Sequence, residues 1–169
     1  MELQKAGGTG KSVRVLVVDD FEPFRRFVSS TLEQRPNLQI VGVVTDGLDA
    51  VRRAEELKPD LILLDVGLPT INGIEVARRI REVFPASKIL FVSETRSPEV
   101  AEEALNTGAV GYVLKSDAAG ELLPAIRAIL AGKRWISASL AGHVRVSATV
   151  STAQTTLLTS MVMLISGIR

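Results

Sequence analysis

No cysteine occurs in the 169 residues, so disulfides and thiolate metal sites are excluded. Histidine appears once, as His143, with no second histidine or carboxylate near it in sequence, and reads as an incidental surface residue. Neither sign of charge dominates. Twenty Lys+Arg face 19 Asp+Glu, which removes any overall electrostatic drive toward nucleic acid or an anionic membrane. Long apolar runs are missing too: Leu157 to Ile165 is interrupted by Thr159 and Ser160 and falls short of the roughly 20 residues a membrane helix needs. Residues 1–12 are polar and Gly-rich, without the apolar core of a signal peptide. They read as a flexible leader, and no membrane partner and a cytoplasmic location are expected. Gly7 to Ser12 spells GGTGKS, but Lys5 stands where a phosphate-binding loop needs its first glycine, and the segment precedes the first strand instead of following one.

What the chain does have is 46% hydrophobic residues, enough to fill the core of one domain. From Val13 onward, short apolar runs alternate with segments of helical periodicity. The runs Val13 to Val18, Leu38 to Val44, Leu61 to Leu64, Lys88 to Val92 and Val110 to Leu114 suit strands buried on both faces. Between them, apolar residues three and four apart predict helices through Phe24, Phe27, Val28 and Leu32, through Ala50, Val51, Ala54 and Leu57, and through Ile74, Ala77, Ile80 and Phe84. A fourth helix opens with Ser97 as N-cap, Pro98 at the first helical position and Glu99 in the first turn, and stops at Gly108. The fifth runs through Leu122 and Ile126 to Gly132; Pro124 places its start near Gly120, not at Asp117. Five βα units with right-handed crossovers predict an α/β fold: a doubly wound five-stranded parallel sheet of order 2-1-3-4-5 with helices on both faces. Residues 13–137 form this domain. The remainder, 138–169, has no acidic residue and only Arg145 and Arg169 as full charges, and reads as a disordered or weakly docked tail.

In such a sheet, ligands sit at the carboxyl ends of the strands. Asp19 and Asp20 follow the first strand and Asp65 ends the third, which should be its neighbour. Taken alone, Asp19 or Asp20 reads best as a solvated turn residue or a helix N-cap. Together with Ser93 at the end of the fourth strand and Lys115 at the end of the fifth, they place an acid pair, an acid, a hydroxyl and an amine on four separate strand ends. Three converging carboxylates repel one another and call for a cation; an all-oxygen set with few protein ligands suits Mg²⁺. In this reading Asp65 attacks a phosphorus atom as the carboxylate nucleophile. Asp20 binds the metal directly, Asp19 holds its shell, and Lys115 and Ser93 donate to phosphoryl oxygens.

These residues resemble bacterial response-regulator receivers, particularly those that precede a helix-turn-helix output domain in the NarL/LuxR group. The resemblance lies in VRVLVVDD at Val13 to Asp20, DLILLDVGLPTINGIE at Asp60 to Glu75, ILFVSE at Ile89 to Glu94 and GAVGYVLKSD at Gly108 to Asp117, and it covers roughly Val13 to Ser137. It implies a flavodoxin-like fold and phosphorylation of Asp65 by a sensor histidine kinase or a small phosphodonor. It also implies a metal ligand in the Gly67 carbonyl and a switch pair in Ser93 and Tyr112, with Tyr112 swinging inward on phosphorylation. The surface of the fourth helix, fifth strand and fifth helix would then change shape, as a homodimer contact or as control of an output, transcription being the expected one.

Two positions depart from the pattern: Lys115 is followed by Ser116 instead of proline, and Glu94 stands beside Ser93 where a small residue is common. The residues after Ser137 carry neither amphipathic helices nor a basic recognition helix, so no direct DNA binding is expected. They read as the remnant of a lost output domain, the product of a shifted frame, or the end of a stand-alone receiver. A regulator, not an enzyme, is expected. A phosphatase of the haloacid-dehalogenase kind would need an acid two positions after the nucleophile, where Gly67 stands. A binding module without phosphorylation would have no use for the acid pair and Lys115.

Overall fold

The computed structural model describes residues 10–145. Most of the predicted leader and of the predicted tail lies outside them. Six strands form one parallel sheet: β1 (Val13–Val18), β2 (Leu38–Val44), β3 (Leu61–Leu64), β4 (Lys88–Ser93), β5 (Gly111–Leu114) and β6 (Trp135–Ile136), in the order β2-β1-β3-β4-β5-β6. The expected order of five is present and a sixth strand extends it. The sequence reading missed β6 because two residues show no periodicity; they pair only because Trp135 and Ile136 lie opposite Gly111 and Tyr112.

Strand alternation divides the core between the two faces of the sheet. Leu16, Val18, Ile62, Leu64, Ile89, Phe91 and Tyr112 point to one side and pack under α2 (Gly47–Leu57), α3 (Gly73–Val83) and α4 (Pro98–Asn106). Val15, Val17, Leu61, Leu63, Leu90, Val92 and Val113 point to the other, under α1 (Glu22–Glu33) and α5 (Ala118–Leu130). Each fully buried aliphatic side chain contributes about 1.5–3 kcal/mol of transfer free energy, so covering both faces explains why these strands lack polar alternation.

Caps set where the helices begin. Asp46 accepts from the amides of Leu48 and Asp49, Asn72 from Glu75, and Ser97 from Val100 as expected. The fifth helix corrects the sequence reading: it starts at Ala118, continues from a 3₁₀ turn over Lys115–Asp117, and contains Pro124. Proline costs this helix the bond from residue 124 to the Gly120 carbonyl. Gly120 is exposed, so water can take that carbonyl, while Ala118, Leu122, Ala125, Ile126 and Ile129 bury one continuous face.

After β6, a short helix α6 (Ala138–Ala141) buries Leu140. The Glu121 carboxylate ties this segment to α5. It accepts from Trp135 Nε1 at 3.2 Å, Ser137 Oγ at 2.6 Å and the Ala138 amide at 3.2 Å. Among the described residues, no helix is long and apolar enough to cross a membrane.

Candidate functional site

The parallel register brings the ends of β1 and β3 side by side, with Val18 opposite Leu64. The next residues therefore emerge together. The Asp65 amide donates to the Val18 carbonyl at 2.9 Å and the Asp19 amide to the Val44 carbonyl at 3.0 Å, which aims both side chains from fixed backbone. A further constraint comes from Gly73: a Cβ there would stand 1.9 Å from the Asp65 carbonyl oxygen. Only glycine lets α3 start this close beneath the site.

The expected convergence is present. Asp19, Asp20 and Asp65 each offer a carboxylate oxygen, and the three oxygens lie within 4.8 Å of one another. Asp19 and Asp65 are buried and Asp20 is exposed. Lys115 Nζ reaches into the group, 2.7 Å from Asp19 Oδ2 and 3.0 Å from Asp65 Oδ2. Asp19 Oδ1 accepts from the Phe21 amide at 2.8 Å, and Asp65 Oδ1 from the Gly67 amide at 3.2 Å.

Burial pushes the Asp19 carboxyl above its ordinary range, and the nearby Asp65 charge adds to the rise; the bonds from Lys115 and the Phe21 amide oppose it without cancelling it. For Lys115 the balance is reversed. Desolvation pulls its ammonium down, but the hydrogen bonds and charges of Asp19 and Asp65 outweigh that and leave its pKa raised. One ammonium against three carboxylates leaves net negative charge in a desolvated crevice. An all-oxygen donor set with surplus negative charge, open to solvent at Asp20, fits a hard divalent cation that keeps part of its water shell.

The crevice opens into a cavity of about 400 Å³ lined by Asp20, Phe21, Asp65, Gly67, Ser93, Glu94, Thr95 and Lys115. Ser93 is buried, and its Oγ accepts from the Thr95 amide at 3.2 Å. Tyr112 is fully buried beside Phe91, and its hydroxyl donates to the Thr95 carbonyl at 2.9 Å. Burial raises the Tyr112 hydroxyl pKa, and the nearby Ser93 hydroxyl opposes the rise. Thus Thr95, a residue that sequence reasoning did not single out, bonds both Ser93 and Tyr112, and the Tyr112 ring is buried. The described residues contain no cis peptide; Ser116 instead accepts from Arg96 at 3.0 Å. His143 is exposed and lies away from the acids.

Phe21 and Phe24 were also missed as site residues. Lys115 Nζ lies 4.8 Å from the Phe24 ring centroid and 6.0 Å from that of Phe21. Helical periodicity had assigned Phe24 to the core face, and its place in the first turn after the acid pair was the available signal.

Comparison with known proteins gives a consistent picture. Residues 15–127 match the response regulator receiver domain. The chain is 36% identical over 129 residues to the response regulator GacA of Pseudomonas viridiflava, covering 76% of this chain and 60% of that protein. It is 33% identical over 132 residues to the transcriptional regulatory protein LiaR of Bacillus subtilis, covering 78% and 63%. The chain therefore spans about six-tenths of the length of these relatives. Among solved structures, a two-component response regulator of the LuxR family from Aurantimonas sp. SI85-9A1 superimposes with a TM-score of 0.75 at 36% identity, covering 79% of this chain and 96% of that one.

Proposed function

The chain belongs to the response regulator receiver family, and we propose that Asp65 is its phosphoacceptor, served by Asp19, Asp20, Gly67, Ser93 and Lys115. The observation that supports this most directly is the Lys115 ammonium shared between Asp19 and Asp65. It occupies the position from which a cation can follow charge from the carboxylate to an incoming phosphoryl group.

In the transfer, an Asp65 carboxylate oxygen forms a bond to phosphorus as the bond from phosphorus to the donor's leaving atom breaks, and that atom keeps the electron pair. The donor in this reading is a phosphohistidine on a sensor histidine kinase, or a small acyl phosphate, and the setting is the cytoplasm. Asp19 and Asp20, with Asp65 and the Gly67 carbonyl, would hold Mg²⁺, which when bound supplies positive charge against the phosphoryl oxygens. Lys115 donates to one phosphoryl oxygen and the Ser93 hydroxyl to another. Recruiting Ser93 draws on the loop through Thr95, whose carbonyl holds Tyr112, so the α4–β5–α5 surface responds. A second copy docking on that surface would also meet β6 and α6, since β6 covers the outer edge of β5. Control of transcription, the role that the name transcriptional regulatory protein gives to LiaR, is the output we propose for this receiver.

Intact-mass analysis after treatment with an acyl phosphate and Mg²⁺ tests the assignment. Wild type should gain one base-labile phosphoryl group and Asp65→Asn none. Label on both proteins, or on neither, would overturn it, and steady turnover of a phosphate ester without accumulated label would favour a phosphatase.

A further inference from the structure

We propose that Phe24 is a positioning residue for Lys115, its ring face keeping the ammonium at the mouth of the acid crevice while the charge on Asp65 changes. The inference rests on Asp65 being the phosphoacceptor.

Three observations carry it. First, the 4.8 Å separation between Lys115 Nζ and the Phe24 centroid is well inside the roughly 6 Å reach of a cation–π contact, whereas Phe21 at 6.0 Å lies at its limit. Second, the ring is braced. Phe27 lies 5.6 Å away, and the start of α1 is tied to Asp19: the Phe21 amide donates to its carboxylate, and Arg25 Nη1 donates to its carbonyl at 3.0 Å. The carboxylate that holds Lys115 from one side and the ring that holds it from another thus belong to one rigid piece of chain. Third, Lys115 has somewhere else to go. An aromatic cavity of about 490 Å³, lined in part by Phe24, Phe27, Glu94 and Arg96, shares Phe21, Glu94 and Lys115 with the acidic cavity. A flexible lysine stem can swing toward that side and toward the Glu94 carboxylate.

The carboxylates alone are a poor anchor during the reaction. Once Asp65 becomes an acyl phosphate it loses its own anionic charge, and Lys115 must exchange a carboxylate partner for a phosphoryl oxygen. A ring quadrupole is unchanged by that step, so Phe24 can hold the amine through the exchange. Leucine fills similar space without a quadrupole.

Rates of labelling by an acyl phosphate with Mg²⁺ test the proposal on the full chain. Phe24→Leu should be about three- to tenfold slower, as expected for loss of a partly desolvated cation–π contact, and Phe24→Trp should restore the rate. In a Lys115→Gln background the same leucine change should have no further effect. A leucine variant that labels at the wild-type rate would overturn the proposal, as would losses that multiply in the double variant, because Phe24 would then act on the fold and not through Lys115. If Phe24→Leu folds poorly, ring-fluorinated phenylalanines at position 24 keep the shape and weaken the quadrupole; labelling should slow with each added fluorine, and equal rates would refute the idea. Absence of any label on wild type would be a different failure, removing the phosphoacceptor role of Asp65 itself and this inference with it.

Discussion

The two ends of the sheet treat charge in opposite ways. At the end where β1, β3 and β5 finish, charged side chains hold one another, with Lys115 between Asp19 and Asp65. At the end where β3 and β4 begin, charged and polar side chains hold the main chain. Arg81 donates to the carbonyls of Pro85, Ser87 and Gly108, Ser87 Oγ to Pro59 and Lys88 Nζ to Ile129, and the Asp60 carboxylate accepts from the Arg14 amide. A peptide group neither titrates nor takes a phosphoryl group, so bonds to it only fix geometry. A carboxylate–ammonium cluster can exchange partners when a cation or phosphate arrives. On the proposed function, one end secures the fold and the other is kept reactive at some expense to stability.

The largest test of this contrast is Arg81→Met. It removes a guanidinium that bonds three carbonyls and leaves at least the buried loop at Ser87 short of donors. We expect a loss of about 2–3 kcal/mol in urea unfolding, the scale of hydrogen bonds to a charged group. Labelling of Asp65 in the folded protein should be unchanged; a matching drop in labelling rate would show that the two ends are not independent.

Next in size is Asp19→Asn, which should move stability the other way. The folded-state pKa of Asp19 is raised above its ordinary 3.8, so between those two values the folded chain binds more protons than the unfolded one. Stability falls as pH rises through that window and stays lower above it. Without divalent ions, asparagine should therefore make the protein more stable near neutral pH, and its advantage should shrink as pH falls toward 3.8. Thermal melts at neutral and acidic pH check both parts. A variant less stable than wild type at neutral pH would mean that the pairing with Lys115 outweighs the cost of burying Asp19.

The contrast between the ends also governs what could be read from the sequence. The strands were legible because burial on both faces demands unbroken runs such as Leu61 to Leu64, and the acids were legible because the topology places strand ends together. The gaps lie where a contact depends on tertiary arrangement. Trp135 and Ile136 form a strand only because β5 offers an edge. The expected start of α5 was two residues late because a local rule about Pro124 was overridden by the buried face of the helix. Glu121 looks like any solvated helix acid until β6 and the residues after it bring three donors, and Phe24 looks like a core aromatic until Lys115 is seen against its ring.

The smallest effect belongs to Glu94, an exposed carboxylate that lines both cavities beside Lys115. An anionic phosphodonor approaching Asp65 must pass it, and like charges in a solvent-exposed setting repel by at most about 1 kcal/mol. Glu94→Ala should therefore speed labelling by an acyl phosphate about two- to fivefold at low ionic strength. Raising the salt should shrink the advantage, because exposed charges are screened beyond roughly 8 Å at physiological strength. An unchanged or slower rate would point to the other role its position allows, holding Lys115 or Arg96 from the aromatic side. In that event the reactive end would draw its order from one more charged pair than the Asp19–Lys115–Asp65 group supplies, and its contrast with the Arg81 end would sharpen.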